Sequence, residues 1–108
     1  MALEPLKIKE ANEKKVISLQ SVPSGGATAL IPAPPVNDPD STVLVRINGK
    51  VVVPRQPLGV ENGGFYEALI SRNALLENLG SEQAFDYRIY LPNGNSSTGD
   101  PEHYDITH

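Results

Sequence analysis

The chain has two histidines, His103 and His108, both within its last six residues. A nucleophilic triad would join His103 to Ser96 or Ser97 as nucleophile and to Asp105 as the orienting carboxylate. Such a base works only where it is buried and oriented, a setting that terminal polar loops rarely supply. His103 is therefore read as a solvent-facing strand histidine, and no catalytic residue is assigned. Oxygen ligands are more plentiful. Asp38, Asp40, Asp100, Glu102 and Asp105 fall in or near loops, with Asn37, Asn93 and Asn95 adding neutral oxygens. Calcium takes six to eight such oxygens, which makes Asp38, Asp40 and Asp100 the calcium candidates. No D-x-[DN]-x-[DN]-G loop is present, and Asp38-Pro39-Asp40 is ordinary turn composition. The expectation is thus no cofactor, with calcium at those three aspartates as the one metal to test.

Other motifs carry less. Gly25-Gly26 and Gly63-Gly64 form neither a dinucleotide fingerprint nor a P-loop, and both read as turns. Asn95-Ser96-Ser97 fits the glycosylation acceptor pattern, a short match that recurs by chance. The net charge of −4 argues against nucleic acid, because phosphate binding needs clustered Lys and Arg. Lys7, Lys9, Lys14 and Lys15 are interleaved with Glu4, Glu10 and Glu13, as on a solvated face. Cysteine is absent, which excludes disulfides, thiolate metal sites and a cysteine nucleophile. No apolar stretch approaches the ~20 residues that span a membrane, so membrane insertion is not expected. The N-terminus lacks the apolar core of a signal peptide. The location expected is the cell surface or exterior if the chain belongs to a larger exported protein, and the cytoplasm otherwise.

The elements that must position these residues are short. Ten prolines and nine glycines in 108 residues favour strands and turns over helices. Three Asn-Gly pairs, Asn48-Gly49, Asn62-Gly63 and Asn93-Gly94, supply the φ > 0 residues of tight hairpin turns. Thr42 to Ile47 meets Lys50 to Val53 across the first pair, with Val43, Val45 and Ile47 on one face. Ala84 to Leu91 places Phe85, Tyr87, Ile89 and Leu91 on one face and Asp86, Arg88 and Tyr90 on the other. Further strands are expected over Lys14–Gln20, Thr28–Ile31, Phe65–Ile70 (Phe65 and Leu69 sharing a face) and His103–Thr107. Ser71 to Gly80 changes period, with Leu75, Leu76 and Leu79 at helical spacing, Ser71 as cap and Gly80 as stop. Pro32 to Asp40 and Pro54 to Gly59 read as irregular connections. Tyr66, Tyr90 and Tyr104 could form a recognition patch, although ordinary packing is the favoured reading. About seven short strands with one small helix suit a two-sheet sandwich.

The order of these features resembles the immunoglobulin-like β-sandwich repeats of large bacterial surface and secreted proteins. The stretches that carry it are Ala29-Leu30-Ile31-Pro32, Asp40 to Gly49, Leu75 to Gly80, Phe85-Asp86-Tyr87-Arg88-Ile89 and Ser96 to Ile106. The strand from Thr42 lacks the aromatic residue that often fills such a core, and there is no disulfide pair. Tyr87 stands where a corner tyrosine would bond the backbone of the preceding crossover. The resemblance covers about residues 28–106 and implies an all-β, immunoglobulin-like antiparallel sandwich; with the earlier strand included, the domain is expected over residues 14–108, after a flexible, charged lead-in over 1–13. The resemblance also implies a non-catalytic spacer or adhesion module, with a protein or cell-surface ligand as partner. The rival is a free-standing small protein that binds a protein by strand addition at a sheet edge.

Overall fold

The computed structural model describes residues 4–32, 40–59, 61 and 63–108. Asp38, Asn62 and most of the proline-rich stretch after Pro32 lie outside the described residues. The described residues form nine strands and one α-helix: β1 (Lys7–Ile8), β2 (Val16–Ser18), β3 (Ala27–Pro32), β4 (Thr42–Ile47), β5 (Lys50–Pro57), β6 (Phe65–Ile70), α1 (Arg72–Leu76), β7 (Gly80–Tyr90), β8 (Ser96–Thr98) and β9 (Glu102–Thr107). They make two sheets. The smaller has the order β1-β3-β6, and the larger has β2-β9-β7-β4-β5, with β8 also paired to β7. The all-β reading holds, but the pairing is not wholly antiparallel, because β2 runs parallel to β9.

Alternation decides which side chains meet. Val43, Val45 and Ile47 of β4 and Phe85, Tyr87 and Ile89 of β7 are buried, as their period of two requires. Ala27, Ala29 and Ile31 of β3 and Tyr66, Ala68 and Ile70 of β6 join them in one hydrophobic cluster. Small alanines in the three-stranded sheet leave room for Phe85, Tyr87 and Tyr104 from the larger one. Phe85 and Tyr104 meet edge to face, 5.3 Å between centroids. Phe65 and Leu69 do share a face of β6, but it is the outward one, and Leu69 is 56% exposed.

Asn48-Gly49 makes the expected tight turn, with φ of 52° and 83° and Ile47 opposite Lys50. The β5 strand then continues through Pro54 to Pro57, in place of the irregular connection that the prolines suggest. It survives because β5 is an edge strand and its register shifts along β4, so Pro54 replaces no required ladder donor. Lys14–Gln20 divides into β2 and a 3-10 turn over Leu19–Ser21. The helix is capped by Ser71, whose Oγ accepts from the Ala74 N–H at 3.2 Å. Leu75 is buried, whereas Leu76 and Leu79 are largely outside.

Residues 4–13, which read as part of a flexible lead-in, contribute to the fold. Leu6 and Ile8 are buried, Lys7 pairs with Leu30, and Ile8 pairs with Ala29. Two apolar residues spaced by two among lysines make a short edge strand, a signal easily lost in the surrounding charge. Burial of two such side chains contributes ~1.5–3 kcal/mol each, enough to hold the segment down.

The body measures 40 × 23 × 23 Å. Strand β1 is antiparallel to β3 and starts toward the Pro32 end, while β9 finishes beside Gly80, near α1. The described chain therefore begins at one end of the sandwich and leaves at the other.

Candidate functional site

The residues of a hydrolytic triad do not assemble. His103 is exposed and lies opposite Ala84, whereas Ser97 lies opposite Ile89. Five residues along β7 separate the two levels, roughly 17 Å. Asp105 does not orient the histidine; its Oδ1 accepts the Glu82 N–H at 2.8 Å. Of the carboxylates named for calcium, Asp40 and Asp100 stand at different levels of the larger sheet. Asp40 precedes the end of β4 that pairs with Tyr90, and Asp100 follows Gly99, whose N–H donates to the Tyr87 carbonyl. No group of three or more acidic or histidine side chains among the described residues comes together to hold a metal. Asp38 lies outside the described residues.

Ordinary packing, the favoured reading of the tyrosines, holds for Tyr66 and Tyr104. Tyr66 and Tyr104 are 6% and 5% exposed, so neither offers a surface; both belong to the core. The polar ends of the buried tyrosines that reach the N-terminal segment are put to use there. The Ile8 N–H donates to the Tyr104 hydroxyl at 3.2 Å, across the sandwich. The Tyr87 hydroxyl donates to the Glu4 carbonyl at 2.5 Å. Tyr87 thus bonds backbone, but that of the N-terminal segment and not of the preceding crossover. Gly99 packs against its ring so closely that an added Cβ would overlap Cε1. Burial pushes the Tyr87 phenol up to about 12, with the Glu4 and Asp100 carboxylates adding to the shift. Burial raises Tyr104 as well, opposed by the Ile8 N–H.

What the fold does bring together is the outer face of the larger sheet. Because Val43, Val45 and Ile47 face inward, Thr42, Leu44 and Arg46 must face out; β7 does the same with Asp86, Arg88 and Tyr90. The register sets Thr42 beside Tyr90, Leu44 beside Arg88 and Arg46 beside Asp86. Arg46 grips Asp86 with two parallel bonds, Nε to Oδ1 and Nη2 to Oδ2, each 2.9 Å. Arg55 reaches in from β5. Its Nε donates to Thr42 Oγ1 at 2.7 Å, and its guanidinium carbon lies 4.1 Å from the Tyr90 centroid. Arg88 approaches the same ring at 5.8 Å. The Arg88 Nε is buried and has no hydrogen-bond partner among the described residues.

Electrostatically, Arg46 and Asp86 neutralise each other, and Arg55 and Arg88 leave positive charge around an aromatic ring. That local sign is opposite to the net −4 of the chain. A guanidinium above a ring gains from the quadrupole, and the N–H groups in its plane suit planar acceptors. The arrangement can hold an oxyanion; it offers no base or nucleophile. Alternation assigns these side chains to outward faces, but sequence alone does not join them, because the β4–β7 pairing is non-local. No helix among the described residues is long and apolar enough to cross a membrane. No family model, no curated protein and no solved structure matches this chain.

Proposed function

We propose that this chain is a non-catalytic structural and adhesion module, built as an immunoglobulin-like sandwich of the type repeated in bacterial surface proteins. The strand order supports the reading. Central β7 and β4 are flanked by β9 and β5, faced by β1-β3-β6, and the N-terminal segment moves from the smaller sheet at β1 to the larger at β2.

The observation that carries it is the pairing of β2, the second strand, with β9, the last. Val16, Ile17 and Ser18 of β2 lie parallel to Asp105, Ile106 and Thr107 of β9. The Asp105 N–H also donates to the Lys15 carbonyl at 2.9 Å, and Lys15 forms an ion pair with Glu102. Tension applied at the two ends pulls β2 toward one pole and β9 toward the other. Force then runs along both strands in opposite senses, so the bonds between them are sheared together and must fail together. A spacer under load needs that geometry more than it needs a pocket.

Single-molecule pulling tests it, and a chain without cysteine accepts cysteine handles cleanly. Handles at the two ends should give an unfolding force at least twice that given by handles at Ser81→Cys and His108→Cys. The second pair sits at one pole, where Gly80 lies opposite Ile106, and peels β9 one bond at a time. Equal forces in the two directions would remove the load-bearing reading.

A further inference from the structure

We propose that the outer face of the larger sheet docks an acidic polypeptide segment in extended conformation, with Arg55 and Arg88 gripping its carboxylates around Tyr90. The inference deepens the reading of the chain as an adhesion module and rests on it. The two can fail separately, because the pulling experiment reports on β2 and β9 and not on this face.

Three observations carry the proposal. The first is a cation without a carboxylate. Arg88 forms no ion pair among the described residues, and its guanidinium carbon stands 5.8 Å from the Tyr90 centroid. A carboxylate is the planar acceptor that suits an arginine fork. The second is preparation. Arg55 is already fixed by its bond to Thr42 Oγ1 and its stacking on Tyr90, so little side-chain freedom is lost when it binds. Asp86, the carboxylate that the β4–β7 register puts on this face, is occupied by Arg46, so it does not neutralise the other two arginines.

The third is charge and spacing. With Arg46 balanced by Asp86, Arg55 and Arg88 place positive charge on this face of a chain of net −4. A polyanion such as nucleic acid or a long sulfated glycan would be repelled by the rest of the molecule. One or two carboxylates would not. Arg88 and Tyr90 are alternate residues of one strand, so the two rows on this face are about 7 Å apart. An extended peptide presents its alternate side chains at that same interval. Glutamates two residues apart would reach the Arg88 row and the Arg55–Tyr90 row together.

The test is an NMR titration of the ¹⁵N-labelled chain, following the arginine Nε–Hε resonances. The probe is the blocked peptide Thr-Glu-Thr-Glu-Thr; the same peptide with glutamine for glutamate, inorganic phosphate and a heparin hexasaccharide serve as comparisons. The glutamate peptide should move the Arg88 and Arg55 resonances saturably, and the glutamine peptide should not. Arg88→Gln should weaken binding about tenfold, a loss of one charge-assisted contact. Arg88→Lys, which keeps the charge but lacks the fork, should fall between, and Lys14→Gln should change nothing. Variant melting curves that match the parent exclude misfolding. Equal response to the glutamine peptide, or undiminished binding by a folded Arg88→Gln chain, overturns the proposal. So does a response to phosphate or heparin alone. Resonances that move with protein concentration and no peptide would mean that a second copy occupies the face, which overturns it as well.

Discussion

A phenol buried against a backbone carbonyl stays protonated beyond the pH at which a free tyrosine ionises. Tyr87 is such a group, fully buried and pushed from its ordinary value of 10.0 to about 12. Because the folded-state value lies above the unfolded one, its contribution to stability is complete below pH 10. It is lost as the pH climbs from 10 toward 12, where the unfolded chain has released a proton that the folded chain still holds. Tyr104 acts in the same direction. Tyr87→Phe removes the bond to the Glu4 carbonyl and should cost about 1–2 kcal/mol at neutral pH. Urea denaturation at neutral pH measures that loss. The same variant should show a shallower fall in stability across the alkaline window, and an unchanged alkaline slope would mean that Tyr87 does not govern it. The Arg46–Asp86 pair matters less at this scale. Its side chains are 27% and 22% exposed, so water weakens the attraction, and its worth is about 0.5–1 kcal/mol despite good geometry.

Strands and turns are held by contacts that reach beyond their own neighbours. At the tip of the β4–β5 hairpin, Asn48 supplies the left-handed residue of the turn and also ties the turn to β7. Its N–H donates to the Ala84 carbonyl at 2.7 Å, its Oδ1 accepts the Ala84 N–H at 2.9 Å, and its Nδ2 donates to Gln83. Asn48→Gly keeps the backbone conformation and loses the side-chain bonds, for an expected cost of about 1–1.5 kcal/mol. Asn48→Ala adds backbone strain at φ of 52° and should cost more, about 2 kcal/mol in total. Urea midpoints for the two variants measure the order; a less damaging alanine would mean that the turn is not under conformational constraint. This element also shows what the sequence could reveal. The Asn-Gly turn and the alternation of β4 and β7 are local, so their buried faces can be read from the order of the residues alone. Residues Leu6 and Ile8 are hidden by their charged neighbours. The run of β5 past Pro54 is hidden because a proline is tolerated on an edge, and only the sheet says where the edge is. The arginine–tyrosine face is legible as outward residues and illegible as a cluster, since its register comes from a pairing between distant strands.

At the scale of the molecule, the pairing expected to close last is the one that spans nearly the whole chain. Strand β2 lies near the start of the sequence and β9 at its end, yet both fill one core, where Ile17 and Ile106 are each buried. Joining them costs the loop entropy of everything between, so this pair gains little until β4, β7 and β9 are in place. The transition state for folding should therefore contain the β4–β7 centre and lack β2. Ile17→Val removes one buried methylene and should destabilise by about 0.5–1.5 kcal/mol. That loss should appear almost wholly as faster unfolding, with the folding rate nearly unchanged. Val45→Ala, in the centre of the larger sheet, should slow folding instead. Stopped-flow tyrosine fluorescence, available because the chain has four tyrosines and no tryptophan, measures both arms. Slower folding in Ile17→Val would put β2 in the nucleus. Its absence from the nucleus would suit the load-bearing role proposed for the β2–β9 pair: a contact formed after the barrier raises the cost of unfolding without slowing folding, so such a pair can be strengthened while the chain still folds at its own pace.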